Sequence, residues 1–266
     1  LRGELARAAG LVDAVVDRDH GALFPLLSGQ RLPRDLPFRG EGAALFSARG
    51  PAPASAVLRR AGYRVIDIPT FPPPEVSQRV GLWQRLALER QGIPSSDTLF
   101  LGHIPSFRQE ALRRGRALQM VSPGAIALHL GAGSPLKVLP LKVQRALCRA
   151  LASEAVLLLG PADEGEALVE AAPSIPVLRG GSPLELAGFL LGCRAFLGMD
   201  SGLTHLAASL TLPTLALFGP TDPRVWGPPG ARILTAPLGC SPCGLDRARR
   251  CPHRACLDLS ARTILD

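Results

Sequence analysis

The sequence predicts an α/β fold built on a parallel sheet. Three observations support this: the strand-length segments are almost entirely apolar, helical segments alternate with them, and a glycine follows each strand. Wholly apolar strands are typical of parallel sheets whose two faces are covered by helices. Five strands are expected after residue 125, at 126–130, 155–159, 175–178, 195–197 and 214–218. Helices are expected between them, at 141–151, 164–171, 183–191 and 203–210.

The same pattern locates a ligand site. In open α/β sheets, ligands bind at the carboxyl ends of the strands. Glycine-rich turns follow all five predicted strands, so these turns lie together on that edge. The site is therefore expected there before any motif is considered.

The first part of the chain is less regular but is also α/β. Helices are expected at 1–9, 54–61 and 76–90, and strands at 11–16, 43–46 and 63–68. Proline and glycine cluster at 121–124, which favours a domain boundary. We expect one α/β domain at 1–122, a second at 123–239 with a cleft between them, and a cysteine-rich tail with a helix at 240–266.

Composition bounds the partners and the location of the protein. The chain has 30 basic and 22 acidic residues, a net charge of +8, and lysine only at Lys137 and Lys142. Such a charge attracts anionic partners, although high-GC codon usage or thermal adaptation gives the same composition. Aromatic residues make up 5%, too few for base-stacking platforms. No apolar stretch reaches the roughly 20 residues that cross a bilayer, and the start lacks a signal peptide, so a cytoplasmic protein is expected. The first residue is not methionine, which fits a fragment or a processed product.

A glycine turn at 131–137 follows the first strand of the regular pattern and contains Ser134 and Lys137. It differs from a Walker A loop because Leu136, not glycine, precedes the lysine, and the dinucleotide fingerprint also needs glycine at 136. A glycine turn with exposed amides, a hydroxyl and a lysine suits a diphosphate. The alternative is an ordinary strand-to-helix turn with a surface lysine.

The segment 198–205, Gly-Met-Asp-Ser-Gly-Leu-Thr-His, joins a strand to a helix. The free amides at this helix start, including those of Ser201 and Gly202, favour an anion. Asp200 either caps the helix or accepts the hydroxyls of a sugar. His205 is either a core histidine or a contact to phosphate.

A third motif, Phe-Gly-Pro-Thr-Asp-Pro at 218–223, ends the last predicted strand in a stiff turn and precedes Trp226 and Pro228. Thr221 and Asp222 are expected at the same sheet edge as the other two motifs. The alternative is a rigid turn with no further role.

These three motifs, in this order and spacing, resemble those of glycosyltransferase family 9, the ADP-heptose:lipopolysaccharide heptosyltransferases. The matching segments are 129–137, 200–208 and 218–228, although Leu130 and Leu139 replace a proline and a tryptophan that are common in the family. The resemblance implies a GT-B fold of two Rossmann-like domains, in which the second domain, here 123–239, binds the donor. It also implies metal-independent transfer of a sugar with inversion, so no cofactor is expected for catalysis.

The resemblance implies a set of donor-binding residues, taken position by position from the motifs. Residues of the first motif would contact the donor diphosphate, Asp200 would hold the sugar, and the rest of the second motif would bind phosphate. An acidic residue in the turn at 160–164 would meet the nucleoside ribose. The full set is Ser134, Lys137, Asp163, Glu164, Asp200, Ser201, Gly202, His205 and Thr221.

One part of the family pattern has no counterpart in the sequence. The family's N-terminal domain opens with a strand and a Gly-Asp turn whose aspartate is the expected general base, and nothing before Leu11 matches it. Asp13 and Asp17 lie in the wrong place to substitute, so no catalytic residue is assigned. The N-terminal, acceptor-side domain is therefore expected to lack its first strand and helix. A general base typically contributes about 10²–10⁴-fold, so a chain without one is expected to bind better than it turns over.

Four of the six cysteines lie in the tail with the spacing C-x2-C-x7-C-x4-C, and His253 lies among them. One C-x2-C pair with two further thiols can close a tetrahedral structural zinc site. Disulfides, which the cytosol disfavours, and unpaired thiols are the alternatives. These tail cysteines are Cys240, Cys243, Cys251 and Cys256. Cys148 and Cys193 are expected in the core.

Three functions are compatible with these observations. The leading one is an inverting glycosyltransferase that moves heptose or a related sugar from an ADP-linked donor to a lipopolysaccharide-core or other anionic cell-surface glycan. The arginine excess fits an enzyme that is peripheral at the inner membrane. The second is a non-catalytic nucleotide-sugar binding protein that has lost the general base. The third, a zinc-dependent nucleic-acid binding protein, leaves the parallel-sheet motifs unexplained, so no nucleic-acid partner is expected.

Overall fold

The computed structural model describes residues 2–16, 23–33, 42–47, 51–73, 76–95, 100–119, 123–160 and 165–266. The chain forms two compact units, one from Leu1–Leu11 with Leu99–Asp266 and one from Val12–Thr98. The boundary predicted at 122–123 differs from this division, because the helix that precedes it packs with the larger unit. The functional division into 1–122, 123–239 and 240–266 stays a prediction.

The larger unit is built on a six-stranded sheet. Its strands are β3 (Ile126–His129), β4 (Ala155–Leu159), β5 (Val177–Arg179), β6 (Ala195–Met199), β7 (Thr214–Phe218) and β8 (Arg232–Thr235), numbered after the two strands of the smaller unit. Every neighbouring pair is parallel, in the order β5-β4-β3-β6-β7-β8. The structure thus confirms the predicted parallel sheet with its five strands and adds β8. The missed strand is half-exposed at an edge of the sheet, so it lacks the wholly apolar pattern.

Helices cover both faces of this sheet. They are α1 (Arg2–Ala8), α5 (Pro105–Gln119), α6 (Leu141–Ala150), α7 (Glu166–Ala171), α8 (Pro183–Leu190), α9 (Gly202–Ser209), α10 (Pro223–Trp226), α11 (Gly244–Ala248) and α12 (Ala261–Leu265). The buried strand β4 shows why both layers are needed, since its side chains alternate between two cores. Leu157 packs with Leu147 of α6 and with Ile264 of α12. Val156 and Leu158 belong to the core on the other face, which α5, α8 and α9 complete.

Two glycines allow α5 and α8 to pack at close range. A Cβ added to Gly188 would lie 2.0 Å from the backbone oxygen of Ala111, and one added to Gly115 would lie 2.6 Å from the Cα of Gly188. The absence of side chains at these positions therefore lets the two backbones touch. This contact is the reason that α5 belongs to the larger unit.

The smaller unit contains α2 (Phe24–Leu27), β1 (Gly42–Ser47), α3 (Pro53–Arg60), β2 (Arg64–Pro69) and α4 (Val80–Glu89). Its two strands are parallel, and its core forms where Leu26 meets Val57 and Leu58 of α3. The strand predicted at 11–16 is wrong: Leu11 and Val15 are exposed, and the described backbone there pairs with no strand. Among the described residues, no helix has the length and apolar character that a bilayer-spanning segment requires.

Candidate functional site

The carboxyl edge of the sheet has a switch point between β3 and β6. From β3 the chain builds the sheet outward through β4 and β5, and from β6 it builds in the opposite direction through β7 and β8. The loops that follow β3 and β6 therefore diverge and leave a crevice, which is where ligands bind in this class of sheet. His129 pairs with Gly198 at the end of the two strands. A Cβ on that glycine would lie 2.8 Å from the His129 oxygen, so a side chain there would push the strands apart.

Lys137, Asp200 and Thr221 come together at this crevice, each from a different predicted motif. The Lys137 Nζ donates to the backbone oxygen of Asp200 at 2.7 Å and lies 3.2 Å from its Oδ2. The Thr221 hydroxyl donates to the same Oδ2 at 2.8 Å. The lysine and aspartate side chains are 15% and 10% exposed, so this ion pair is largely shielded from solvent. The loops after β3, β6 and β7 are thereby tied to one carboxylate.

The other oxygen of this carboxylate, Oδ1, accepts no hydrogen bond from a described residue. The Lys137 ammonium has three N–H groups, and two of them are directed at Asp200. The cluster can therefore accept a hydroxyl at Oδ1 while the lysine offers positive charge to an anion. Asp200 does not cap α9, the alternative considered for it, because Ser201 holds that position.

Ser201 begins α9 and anchors a buried polar network. Its Oγ accepts from the Thr204 amide at 3.4 Å and lies 3.1 Å from the Thr204 hydroxyl, which in turn donates to the Met199 carbonyl. The Oγ also lies 3.2 Å from Nδ1 of the buried His129. The Ser201 side chain is thus occupied by structural contacts. A ligand would meet the backbone amides at the start of the helix rather than this hydroxyl.

Gly202 and His205 lie on the accessible side of α9. Gly202 is exposed, and a Cβ added there would meet no atom within 4 Å. His205 is half-buried, and its amide donates to the Ser201 carbonyl at 3.3 Å. The exposed helix start leaves room for an anion beside the macrodipole.

Asp222, next to the cluster, has a structural role. Its carboxylate caps α10 by accepting from the Arg224 amide at 2.9 Å, and it pairs with the Arg224 guanidinium at 2.7 Å. The hydrogen bond from that guanidinium is the main cause that lowers the pKa of Asp222 from its usual value. The third motif therefore contributes Thr221 to the site and uses Asp222 to hold its own turn.

A cavity of about 1340 Å³ is lined in part by the glycine turn at 131–135. Among the donor-set residues that the structure describes, Ser134 is the one that lines it, and its Oγ also accepts from the Leu136 amide at 3.3 Å. Most of the wall is apolar and comes from the turn, the start of α6, and α7. The remaining wall comes from the tail, as Cys251, Pro252, His253 and Arg254. The sequence pattern did not place these tail residues at the site, since it marked Cys251 and His253 only as members of a cysteine cluster.

The predicted ribose contacts, Asp163 and Glu164, lie outside the described residues. The structure thus brings Lys137, Asp200 and Thr221 into direct contact. It places Ser134 at the neighbouring cavity.

Three of the four tail cysteines, Cys240, Cys243 and Cys251, help to line a second cavity of about 450 Å³ together with His253. Burial raises the pKa of Cys256, and the nearby thiols of Cys243, Cys251 and Cys240 add to this effect. The four thiols are therefore neighbours. Within the part of the chain that the structure describes, however, no group of three or more His, Cys, Asp or Glu side chains is arranged to hold a metal ion. Structural zinc at these cysteines stays a prediction.

Cys251 differs from the other thiols in its hydrogen bonds. Two backbone N–H donors, those of His253 and Arg254, lower its pKa, and the Arg254 amide lies 3.4 Å from the sulfur. Burial instead raises the pKa of Cys148 to about 11 and that of Cys193 to about 12, as expected for thiols in an apolar environment.

Comparisons with family models and with curated proteins point to the same family. Residues 67–254 match the model of glycosyltransferase family 9 (heptosyltransferase). A 65-residue segment is 48% identical to lipopolysaccharide heptosyltransferase 1 of Pseudomonas aeruginosa, and covers 23% of this chain and 18% of that protein. An 84-residue segment is 37% identical to the enzyme of the same name from Salmonella typhimurium, and covers 31% of this chain and 26% of that protein. These alignments thus span about a quarter or less of the length of either relative.

Solved structures extend the similarity to most of the chain. The structure of E. coli ADP-heptose lps heptosyltransferase II aligns with a TM-score of 0.58 at 20% identity, covering 85% of this chain and 74% of that one. The structure of E. coli heptosyltransferase WaaC with ADP aligns with a TM-score of 0.52 at 20% identity, covering 79% and 72%. These similarities confirm the predicted GT-B-like α/β fold.

Proposed function

The chain belongs to glycosyltransferase family 9, and on this premise we propose that it transfers a sugar from a nucleotide-sugar donor to a lipopolysaccharide-core or other cell-surface glycan. The observation that carries the proposal is the contact of Lys137, Asp200 and Thr221 at the switch point of the sheet. Three motifs that are far apart in the sequence converge there on one carboxylate.

In this proposal the two charged groups of the cluster, Asp200 and Lys137, bind different parts of the donor. The Asp200 Oδ1 accepts hydroxyls of the sugar, and Thr221 keeps the carboxylate oriented through Oδ2. Lys137 and the amides at the start of α9, beside Gly202, face the diphosphate. A cation and a helix N-terminus at one place stabilise both the bound diphosphate and the charge that develops on it as the sugar leaves. His205 supplements this phosphate contact. The transfer is metal-independent and inverts the anomeric carbon.

The proposed donor is an ADP-linked heptose or a related sugar. This follows the relatives: one solved neighbour was determined with ADP and another with ADP-2-deoxy-2-fluoro heptose. The proposed acceptor is an anionic glycolipid or saccharide. A chain of net charge +8 attracts such an acceptor, and would also contact the anionic surface of the inner membrane from the cytoplasmic side. Co-sedimentation with anionic but not neutral vesicles, weakening as salt rises, would support that contact.

The test of the donor site is a calorimetric titration with ADP-, UDP- and GDP-sugars and with the matching free nucleotides. We expect an ADP-sugar to bind more tightly than ADP, because only the sugar reaches Asp200. In Asp200→Asn the preference for the sugar should fall by about tenfold, which is about 1.4 kcal/mol. The affinity for ADP should stay or rise, since a negative charge beside the diphosphate has been removed.

The matched control is Asp258→Asn. Asp258 pairs with the other lysine, Lys142, at an exposed position, so its substitution should leave both affinities unchanged. The proposal is wrong if no nucleotide sugar of the panel binds, or if both aspartate variants have the same effect. Incubation of the bound donor with a heptose-accepting lipopolysaccharide core and detection of the released nucleotide then tests transfer separately from binding.

A further inference from the structure

The cavity of about 1340 Å³ has one wall whose polar groups the proposed donor site does not use. This wall is the turn of the tail at 251–254, and it stands with the glycine turn at 131–135 in the lining of one cavity. The tail therefore reaches the same turn whose far end carries Lys137. The glycine turn thus connects the cavity, through residues 131–135, to Lys137 of the Asp200 cluster.

His253 is held in a defined tautomer within this turn. Its Nδ1 accepts a hydrogen bond from the Ala255 amide at 3.1 Å. A ring nitrogen that accepts from an N–H group carries no proton, so in the neutral ring the proton is on Nε2. The side chain is exposed and lines the cavity. His253 therefore offers a hydrogen-bond donor at Nε2 to a ligand.

Arg254 adopts a backbone conformation that favours glycine. Its φ is 48° and its ψ is 33°, in the left-handed region, where a side chain causes strain. One other described residue that is not glycine, Thr211, has a positive φ. This arginine, held in a strained backbone conformation, is one of the residues that line the cavity. Strain of this kind is typical of functional positions.

We propose that His253 and Arg254 are donor-binding residues that hold the nucleoside-side phosphate of the nucleotide sugar in this cavity. The inference rests on the proposed function. The chemistry fits a nucleotide: the apolar walls suit a base, the glycine turn presents backbone amides, and the tail supplies an N–H donor and a guanidinium for phosphate oxygens. The volume exceeds the several hundred Å³ of a typical ligand pocket, so a nucleotide has room in it.

The test is calorimetric titration of the 266-residue chain with ADP, and with UDP and GDP, at low and at physiological salt. We expect Arg254→Gly to weaken binding of the preferred nucleotide by tenfold or more and His253→Ala by three- to tenfold. Because glycine is at ease in the left-handed region, Arg254→Gly should unfold at a urea concentration at least as high as the natural chain. Loss of binding without loss of stability separates a binding role from a structural one.

Two controls match the two properties of Arg254. Thr211→Gly relieves the same kind of backbone strain away from the cavity, and Arg249→Ala removes a positive charge from the tail at an exposed position outside the cavity wall. Both should change the affinity less than twofold. A second variant, Arg254→Asn, tolerates the left-handed region and should reproduce the loss of affinity if Arg254→Gly is poorly folded.

Each outcome decides the matter. If the tail variants bind the nucleotide as the natural chain does, while Asp200→Asn loses its preference for the sugar, the tail inference is wrong and the proposed function stands. If Arg249→Ala weakens binding as much as Arg254→Gly, the effect is one of net charge and the inference is again wrong. If the natural chain binds neither the three nucleotides nor any nucleotide sugar of the panel, both proposals fail together.

Discussion

Removing the carboxylate of Asp200 should destabilise the chain strongly, because it leaves a shielded lysine without its partner. In the structure the Lys137 Nζ lies 3.2 Å from Oδ2, and the two side chains are only 15% and 10% exposed. The Thr221 hydroxyl would lose its acceptor as well. The free energy of unfolding of Asp200→Ala measures the loss of both contacts.

The size of the effect follows from distance and burial. Two unit charges at 3.2 Å attract by about 5 kcal/mol at an effective dielectric constant of about 20. Desolvation of both groups offsets much of this in the intact pair, whereas loss of one partner from a buried pair typically costs about 3–5 kcal/mol. Lys137 keeps the backbone oxygen of Asp200 as an acceptor, which reduces the loss. We expect a destabilisation of about 2–4 kcal/mol, including about 1 kcal/mol from Thr221.

Urea unfolding with linear extrapolation measures the free energy of unfolding of Asp200→Ala, Lys137→Met and the double variant, which together form a double-mutant cycle. The coupling energy between the two substitutions should be about 1–3 kcal/mol. A second lysine–aspartate pair, Lys142 with Asp258, serves as the control. Its Nζ and Oδ1 atoms are 2.9 Å apart, and the two side chains are 72% and 55% exposed. Exposed pairs contribute little, so the coupling there should be below about 0.5 kcal/mol.

Equal coupling energies in the two cycles would contradict this expectation. They would mean that shielding from solvent does not strengthen the Lys137–Asp200 pair. The loops after β3 and β6 would then not be held together by this pair. A large loss in Asp200→Ala with no coupling to Lys137 would assign the effect to the Thr221 contact instead.

Three further predictions concern packing and thiol chemistry. Gly188→Ala should destabilise the chain by about 3 kcal/mol in urea unfolding, since its Cβ would lie 2.0 Å from the Ala111 oxygen. Gly133→Ala is the control. Its Cβ would meet no atom within 4 Å, so this substitution should destabilise the chain far less. In chelator-treated protein, Cys251 should be alkylated by iodoacetamide faster than Cys148 at pH 7–8. The lowered pKa of Cys251 increases its thiolate fraction, while Cys148 stays protonated until the pH approaches about 11. Equal alkylation rates by mass spectrometry would contradict this. If the tail cysteines bind zinc, elemental analysis should find a single zinc ion per chain, lost when the C-x2-C pair is replaced by serine, and a metal-free chain of full stability would contradict it.

The sequence predicts the central strands of the sheet, but not its edge strand β8 or the absence of a strand at 11–16. The bounds of β4 and β7 agree to the residue with the runs at 155–159 and 214–218, because a glycine follows each run and a glutamate or a proline precedes it. The half-exposed edge strand β8 carries no such signal. The segment 11–16 is apolar enough to predict a strand, yet the described residues offer it no strand to pair with, which no local pattern encodes.

The site divides in the same way. Strand topology alone predicts that Lys137, Asp200 and Thr221 share one edge, since each follows a parallel strand. Their direct contact depends on how far a lysine side chain reaches across the crevice, and the sequence does not contain that distance. The tail wall could not be predicted either, because the return of residues 251–254 to the glycine turn depends on tertiary packing of segments about 120 residues apart.

The pairing of β3 with β6 also governs the order in which the sheet assembles. On each side of this junction the paired strands are close in sequence, as with Ala127 and Val156 or Phe196 and Thr214. The junction itself joins Ile126 to Ala195 and closes the longest loop between neighbouring strands of the six-stranded sheet as the structure describes it. Loop closure of this length costs entropy before the contacts repay it, so the two half-sheets should form first and the junction last. During folding, the crevice that holds Lys137 and Asp200 should then be completed only in the final docking step.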